Sequence, residues 1–406
     1  MRPSIERVDD GGRAARLVLV YDGTVIGALP PLQLTAPWWP EAHDVVAAAR
    51  ERFGVDVVLL RLVEARSDQP FGGAVTYLAE IGRPPGIPLE PWPADVLADD
   101  PLRAPWARPG GPANLLRWAD EQLESQGIER IAPPEQMRSW NLSGIWRLPT
   151  TLGPFWLKAV PSFFAHEGDV IDWIGSPPAP ALVAHTPGLT LMVEAAGEPN
   201  HDTRGPALEP MVQLLTRLQE RAVQRTDELL AIGVPDRRLP TMPARVDSVA
   251  DQWAGSLATH ERRSLAGLVA ELPGRLAQVD ACGVPDTLVH GDFHPGNVVG
   301  VPGAYVLIDW GDSFVGHPLV DELAFTRSLD ARDRDVARRW FAQAWRRIAP
   351  EADPERAAEL LRPVLPLLAA VMYADFCAGI EPDERVYHES DVGRMLRQAV
   401  VENRPG

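Results

Sequence analysis

The hydrophobic periodicity of this chain changes near residue 205, and that change constrains the fold more than any other feature. Before it, short runs rich in β-branched and aromatic residues alternate with single helices. After it, long segments carry the apolar spacing of amphipathic helices. One polar stretch with β-like flanks interrupts these helices, and it reads LVHGDFHPGNVVG at 288–300 and continues as YVLIDWGDS. The pattern predicts an α+β protein in which a β-rich lobe and a helical lobe enclose a ligand-binding cleft.

The order of segments predicts four parts. They are an accessory α+β domain (1–82), a linker (83–112), a β-rich N-terminal lobe (113–198) and a helical C-terminal lobe (199–406). The first part contains a hairpin signal at Asp22-Gly23 and a helix that ends at Gly54. The second part is so rich in proline that we expect an extended connector without regular structure.

Composition excludes several classes of protein. A chain of 406 residues exceeds the usual size of one core, and its 45% hydrophobic and 23% charged residues are typical of globular proteins. The net charge of −17 argues against a nucleic-acid partner, because clustered Lys and Arg hold phosphate backbones. We find no secretory signal, no transmembrane run and no metal-type cysteine spacing. The expectation is a cytoplasmic protein that does not bind a membrane.

Three residues of the polar stretch have chemistry that fits together. If the flanking β-like runs pair as a hairpin, Asp292, Asn297 and Asp309 meet at one end of it. Asn297 and Asp309 then offer hard oxygen ligands, which suit Mg²⁺. Asp292 is left to accept a proton or to orient a hydroxyl group. This set of residues suits phosphoryl transfer from a nucleoside triphosphate.

The motifs HGDFHPGN and IDWGD resemble the catalytic loop and the metal-binding Asp motif of the aminoglycoside phosphotransferase family. That family is the small-molecule branch of the protein-kinase-like fold. The resemblance implies a bilobal fold of that kind and a phosphotransferase that uses Mg²⁺ and ATP or GTP. It also implies an alcohol group of a small molecule as the acceptor.

The resemblance assigns roles to the residues of these motifs. His290, Asp292 and Asn297 match the family's His-Gly-Asp-x-x-x-x-Asn loop, which implies Asp292 as the catalytic base. Asn297 and Asp309 become the magnesium ligands. The remaining residues support the loop, and they are His290, His294 and Asp321.

Two departures from protein kinases point to a small acceptor. Gly291 replaces the Arg of the kinase His-Arg-Asp motif. Only eleven residues lie between Asp309 and Asp321, which is too few for an activation loop that docks a peptide.

The resemblance also implies a nucleotide site in the β-rich lobe. Lys158 in FWLKAV is expected to hold the phosphates, and Glu167 is its expected ion-pair partner. Two other sets of nucleotide contacts are predicted. One lies at Ser143 and Gly144, in a loop that matches the family's glycine-rich loop only weakly. The other is the backbone of an interlobe hinge, at Glu194 and Ala196.

The sequence constrains the identity of the acceptor less than it constrains the nucleotide site. Acidic residues near the C-terminus are candidates for binding a cationic acceptor, and they are Asp375, Glu381 and Asp383. Relatives with the same motifs phosphorylate aminoglycosides, choline, sugars, amino alcohols or macrolides. The identity of the acceptor, the choice between ATP and GTP, and the oligomeric state therefore stay open.

Two alternatives to a small-molecule kinase remain. A pseudokinase would keep the nucleotide cleft as a binding module, and the poor glycine-rich loop favours it. A metallohydrolase would use His290, Asp292 and His294, if strand alternation aims all three at one transition metal.

Residues 1–82 weakly resemble a Nudix domain in their hairpin and helix. The paired glutamates of that domain's signature are missing before Gly54, where Ala47, Ala48, Glu51 and Arg52 stand instead. We therefore expect a cap or regulatory module here and no pyrophosphate hydrolysis.

Overall fold

The computed structural model describes residues 12–65 and 70–403. The ends of the predicted accessory domain and C-terminal lobe, 1–11 and 404–406, lie outside the described residues, as does the segment 66–69. Within the described part the protein is a mixed α+β structure with two five-stranded sheets followed by a mainly helical region.

The first sheet contains five strands, β1 (Arg13–Tyr21), β2 (Thr24–Ala28), β3 (Leu32–Leu34), β4 (Val57–Ala65) and β5 (Gly73–Ile81), and one helix, α1 (His43–Phe53), packs beside it. The strand order is β2-β1-β5-β4, β3 pairs with β1, and β1 runs parallel to β5. The predicted hairpin is present: Asp22 and Gly23 take φ values of 48° and 69°, as the turn of a two-residue hairpin requires. Gly54 ends α1 in the left-handed conformation, as predicted.

The predicted linker has more structure than its prolines suggested. Two short 3₁₀ turns form in it, Ala94–Leu97 and Pro105–Ala107. Trp106 in the second turn is 1% exposed and belongs to the core beneath the next sheet. Proline fixes φ near the value that a 3₁₀ turn needs, so proline-rich sequence and short helical turns are compatible.

The second sheet has the strand order β6-β7-β8-β10-β9. Its elements are α2 (Gly111–Ser125), β6 (Glu135–Trp140), β7 (Ser143–Thr150), β8 (Gly153–Ala159), α3 (Glu167–Ile174), β9 (Leu182–Thr186) and β10 (Leu189–Val193). All neighbouring strands in it are antiparallel. This sheet is the β-rich lobe that the periodicity predicted.

The helical region contains nine α-helices among the described residues: α4 (Glu209–Ala222), α5 (Thr226–Ala231), α6 (Met242–Trp253), α7 (Thr259–Asp280), α8 (Leu319–Arg327), α9 (Ala331–Ile348), α10 (Pro354–Leu361), α11 (Leu365–Gly379) and α12 (Glu389–Glu402). Four short strands interrupt them, β11 (Thr287–Val289), β12 (Val298–Val299), β13 (Val306–Leu307) and β14 (Phe314–Gly316). The predicted hairpin forms between β12 and β13, whereas β11 pairs with β14. The polar stretch is therefore held by two small antiparallel pairs.

The segment Pro354–Gly379 is long and apolar enough to span a membrane by composition. Of its most apolar window, 67% is buried inside the protein. Its residues join the largest apolar cluster of the helical region, which is what the core helix of a folded domain does.

Candidate active site

The loop between β11 and β12 brings Asp292 and Asn297 into contact. Asn297 Nδ2 donates to the backbone oxygen of Asp292 at 2.9 Å and to its Oδ2 at 3.3 Å. Both side chains are buried, at 8% and 3% exposed. The contact fixes the orientation of the Asp292 carboxylate, because its loop cannot rotate without breaking these bonds.

Both ring nitrogens of His290 form hydrogen bonds with the protein backbone. Its Nε2 hydrogen-bonds the oxygen of Ile308 at 3.0 Å, and its Nδ1 accepts from the N–H of Asp292 at 3.3 Å. Burial lowers the pKa of His290 to about 4, so the ring is neutral near pH 7. Its position agrees with a supporting role in the loop.

The geometry does not provide the His-Asp-His metal set of the metallohydrolase alternative. His294 Nδ1 accepts from the N–H of Gly296 at 3.0 Å, and the 290–294 segment is a loop in which strand alternation does not apply. Among the described residues, no group of three or more His, Cys, Asp or Glu side chains has the geometry to hold a metal ion. The alternative in which His290, Asp292 and His294 hold one ion is therefore not supported.

Asp321, at the start of α8, holds the beginning of the loop. Its carboxylate accepts from the backbone N–H groups of His290 and Gly291, each at 2.9 Å. Gln219 on α4 donates to the same carboxylate at 2.9 Å. Burial raises the pKa of Asp321 to about 7, against the effect of these donors. Gln219 could not be identified from the sequence, because its contact with Asp321 joins residues far apart in the chain.

Lys158 on β8 lies between two carboxylates. Its Nζ donates to Glu167 Oε1 and to Asp309 Oδ1, each at 2.6 Å, so the predicted Lys158–Glu167 pair is present. Burial acts to lower the pKa of Lys158, but the charges of Asp309 and Glu167 outweigh it and raise that pKa above its ordinary value. The N–H of Trp310 also donates to Glu167, at 3.1 Å. The ammonium group stays charged and fixed at the junction of the two lobes.

Asp309 has a strained backbone. Its φ is +68°, in the left-handed region that non-glycine residues seldom adopt. A conformation of this kind costs roughly 1–3 kcal/mol and persists where the surroundings impose it. Here it turns the carboxylate toward Lys158 directly after β13.

Four of the side chains described above line one cavity of about 550 Å³ between the second sheet and the helical region. Its charged or amide-bearing end contains Lys158, Glu167, Asn297 and Asp309, and its apolar walls include Met137, Ile145, Trp156, Met192, Val299 and Ile308. A nucleotide needs this combination, because its base requires apolar surfaces and its phosphates require fixed charges.

Trp156 is a wall residue that the sequence analysis missed. It stands two residues before Lys158 on β8, so both side chains emerge on the same face of the sheet. Its Nε1 donates to Glu194 Oε1 at 3.0 Å, and Arg147 Nε donates to the same oxygen at 2.8 Å. The period of two from Lys158 was the signal that could have identified it.

The predicted hinge lies at the cavity, because Glu194, Ala195 and Gly197 line it. The N–H of Glu194 donates to the oxygen of Pro154 at 3.1 Å, and the carbonyl of Ala196 lies close to Gly300. These contacts involve neither the carbonyl of Glu194 nor the N–H of Ala196, so nucleotide contacts of the backbone at these two positions stay a prediction.

The predicted phosphate contacts at Ser143 and Gly144 are wrong. Ser143 Oγ accepts from Trp140 Nε1 at 2.9 Å and is buried. A Cβ added to Gly144 would lie 2.8 Å from the rings of both Trp106 and Trp146. This glycine makes room for packed indoles and does not give flexibility to a phosphate-binding loop.

A second cavity, of about 710 Å³, is lined in part by the segment that follows Asp309. Gly311 and Asp312 line it, together with Arg237, Asp375 and the rings of Phe163, Phe164 and Phe376. Burial raises the pKa of Asp312 to about 6. Asp375, a predicted acceptor ligand, does face this cavity, but Arg245 and Arg237 contact its Oδ2 at 2.5 and 3.5 Å.

The other two predicted acceptor residues lie elsewhere. Glu381 is 3% exposed and accepts from Arg103 at 2.7 Å, and Asp383 pairs with Arg61 of β4 at 3.4 Å. Both carboxylates therefore bind arginines of the first sheet and of the segment after it. The prediction that they bind the acceptor is wrong, because local acidity does not reveal such distant partners.

The polar end of the first cavity fits Mg²⁺ bound together with a nucleotide. Asn297 and Asp309 supply one amide and one carboxylate oxygen ligand to the same space. Mg²⁺ commonly takes only one or two protein oxygens and completes its shell with phosphate oxygens and water. Two hard ligands beside a fixed ammonium group are consistent with such a site.

The chain matches a family model described as phosphotransferase enzyme family over residues 156–376. A search of curated protein sequences found no match. Among solved structures, the chain is similar to a macrolide 2′-phosphotransferase from Brachybacterium faecium, with 15% identity, 69% of this chain and 98% of that chain covered, and a TM-score of 0.47.

Two further similar structures cover comparable parts of the chain. A choline/ethanolamine kinase family protein from Mesorhizobium loti has 14% identity, 71% and 98% coverage of the two chains, and a TM-score of 0.47. An aminoglycoside phosphotransferase from Streptomyces rimosus, in complex with ADP and streptomycin, has 20% identity, 61% and 96% coverage, and a TM-score of 0.37.

Proposed function

The chain belongs to the phosphotransferase enzyme family, and we propose that it transfers the γ-phosphoryl group of ATP or GTP to a hydroxyl group of a small molecule. The observation that carries this proposal is that two sets of side chains meet at one cavity through Asn297. Lys158, Glu167 and Asp309 form one set, and all three line the cavity. Asn297 lines it too and forms the second set with Asp292, to whose carboxylate it donates.

Each set has a role in the proposed reaction. Lys158 contacts the phosphates, and Glu167 and Asp309 hold its ammonium group in place. Asn297 and Asp309 would hold Mg²⁺, which would supply neutralisation of the phosphate charge. Trp156 offers an indole face to the base, since it lines the apolar part of the cavity.

Asp292 acts on the acceptor. Its carboxylate accepts the proton of the acceptor hydroxyl as that oxygen forms a bond to the γ-phosphorus. The bond between the γ-phosphorus and the bridging oxygen breaks, and the nucleoside diphosphate leaves. Asn297 keeps the carboxylate oriented through its bond at 3.3 Å.

The second cavity is the proposed acceptor site. Asp312 lines this cavity, and its backbone oxygen lies close to Gly291, the residue directly before Asp292. The three phenylalanine rings of the cavity suit the apolar face of an acceptor, and its arginine–aspartate cluster suits polar substituents. Since Asp375 already binds two arginines, the cavity offers less free carboxylate than a polycation requires.

The test is an acceptor screen with release of the nucleoside diphosphate as the readout, carried out with ATP and with GTP. Asp292→Asn keeps the size of the side chain but removes the base, so turnover should fall by roughly 10² to 10⁴ while nucleotide binding persists. Equal turnover in parent and variant would reject Asp292 as the base. Nucleotide binding without turnover of any acceptor in the parent would favour the pseudokinase alternative.

A further inference from the structure

The β6–β7 hairpin forms the roof of the nucleotide cavity, and its tip is anchored. Met137 on β6 and Ile145 on β7 line the cavity from this hairpin. At the tip, Asn141 is 2% exposed. A nucleotide-covering loop rich in glycine would be mobile, whereas this tip is buried in protein contacts.

Asn141 makes both of its amide hydrogen bonds with one segment of the helical region. Its Nδ2 donates to the backbone oxygen of Glu384 at 3.1 Å, and its Oδ1 accepts from His388 Nε2 at 3.2 Å. This segment, 381–388, connects α11 to α12. The bonds therefore join the roof of the cavity directly to the C-terminal lobe.

The outer edge of the same hairpin is covered by the first sheet and the chain next to it. Gln136 on β6 forms two hydrogen bonds with the backbone of Leu59, at 2.8 and 2.7 Å. Pro40 O accepts from the N–H of Ser139 at 3.1 Å, and the N–H of Ala42 donates to Met137 O at 3.0 Å. These bonds occupy the free edge that β6 would otherwise expose.

The first sheet is in turn fixed to the segment 381–388. The N–H of Leu62 on β4 donates to Glu384 Oε1 at 3.2 Å. Tyr387 is 3% exposed, and its ring lies 5.9 Å from Trp39 and 5.8 Å from Trp140. The hairpin, the first sheet and the segment 381–388 thus form a closed ring of contacts, and Asn141 is the point where the hairpin tip enters it.

We propose that Asn141 is a positioning residue, which anchors the roof of the nucleotide cavity to the C-terminal lobe. The inference rests on the proposed function, since it assigns the roof a nucleotide to cover. An anchored roof keeps Met137 and Ile145 in place before the nucleotide arrives. Binding then requires less ordering of the protein, and the affinity for nucleotide is higher than a free hairpin would give.

Asn141→Ala tests the anchor, with His388→Phe as the variant that removes one of the two bonds and keeps an aromatic ring against Trp140. In Asn141→Ala, amide hydrogen exchange across 138–146 should become faster, and Kd and KM for the nucleotide should rise by about three- to tenfold. The change in kcat should be smaller. His388→Phe should shift the same quantities less, and the double variant should add little to Asn141→Ala, because both changes break one connection.

Thr151→Ala is the matched control. Thr151 lies in the exposed turn between β7 and β8, where its Oγ1 accepts one bond, from the N–H of Glu129 at 3.4 Å. This variant should leave exchange across 138–146 and nucleotide affinity unchanged. Thermal unfolding of each variant checks that the protein is folded under the assay conditions.

Direct binding of a fluorescent nucleotide analogue separates the two proposals. Unchanged exchange and unchanged affinity in folded Asn141→Ala or His388→Phe overturn the anchor and leave phosphotransfer intact. If the parent protein turns over no acceptor, weaker binding in Asn141→Ala still supports the anchor. An equal rise of Kd in Thr151→Ala would also overturn it, because the effect would then be general.

Discussion

Glu384 is a buried carboxyl group whose ionisation should make the stability of this protein depend on pH. It is 2% exposed, and burial, reinforced by the nearby charge of Glu381, raises its pKa from 4.5 to about 8. Its Oε1 accepts from the N–H of Leu62, which a neutral carboxyl or amide oxygen does equally well. At pH 7 the folded protein therefore holds a proton that the unfolded chain has released.

The sign follows from this difference in bound protons. Because the folded state binds the proton more tightly, the contribution of Glu384 to stability is fully present below about pH 4.5. It falls as the pH rises to about 8 and then becomes constant. The slope for one proton cannot exceed roughly 1.4 kcal/mol for each pH unit.

Glu384→Gln removes this titration and keeps an oxygen that can accept from Leu62. We expect the variant to gain stability relative to the parent protein with each pH step between 5 and 8, by up to roughly 1 kcal/mol for each unit. The assay is urea unfolding at a series of pH values, with the difference in the free energy of unfolding plotted against pH.

Glu389→Gln is the control, since it removes an exposed carboxylate from the nearby start of α12. Its free energy of unfolding should follow that of the parent across the pH range. Parallel curves for Glu384→Gln and the parent would show that Glu384 is ionised in the folded protein. That result would refute the account of its buried environment.

Three further substitutions test separate parts of the site. Asp309→Asn should weaken Mg²⁺-dependent nucleotide binding measured by titration calorimetry, because one charged oxygen ligand is lost, while Mg²⁺-independent binding changes less. Trp156→Ala should raise the Kd for the nucleotide by about tenfold, and Trp156→Phe should retain most of the affinity, since an aromatic face remains; equal losses would reject stacking on this ring. Gly144→Ala should destabilise the protein by roughly 1–3 kcal/mol in urea unfolding, because its Cβ meets the rings of Trp106 and Trp146; unchanged stability would show that these rings move freely.

The catalytic loop was the most predictable part of the site. Asp292 and Asn297 are five residues apart and bond within the loop, so a local motif contained the information. The pair of Lys158 and Glu167 spans nine residues from a strand to the next helix, and it was predictable for the same reason. Asp309 joins them through a short hairpin, which the two β-like runs that flank it also indicated.

The roof of the cavity was not predictable, because distant contacts determine it. Asn141 and Glu384 are 243 residues apart, and no local pattern links a hairpin tip to a segment near the C-terminus. Glycine at 144 suggested a flexible phosphate-binding loop, yet two tryptophans pack against it. In the same way, no local pattern shows that Arg103 Nη2 donates to the Glu381 carboxylate, at 2.7 Å.

Gly291 closes one evolutionary route for this protein. Its φ is +84°, and a Cβ placed on it would lie 2.2 Å from the backbone oxygen of Asp312. A single substitution therefore cannot introduce at this position the arginine of the kinase His-Arg-Asp motif without moving the backbone. A descendant of this chain with any side chain at residue 291 would first have to rebuild the backbone around residue 312.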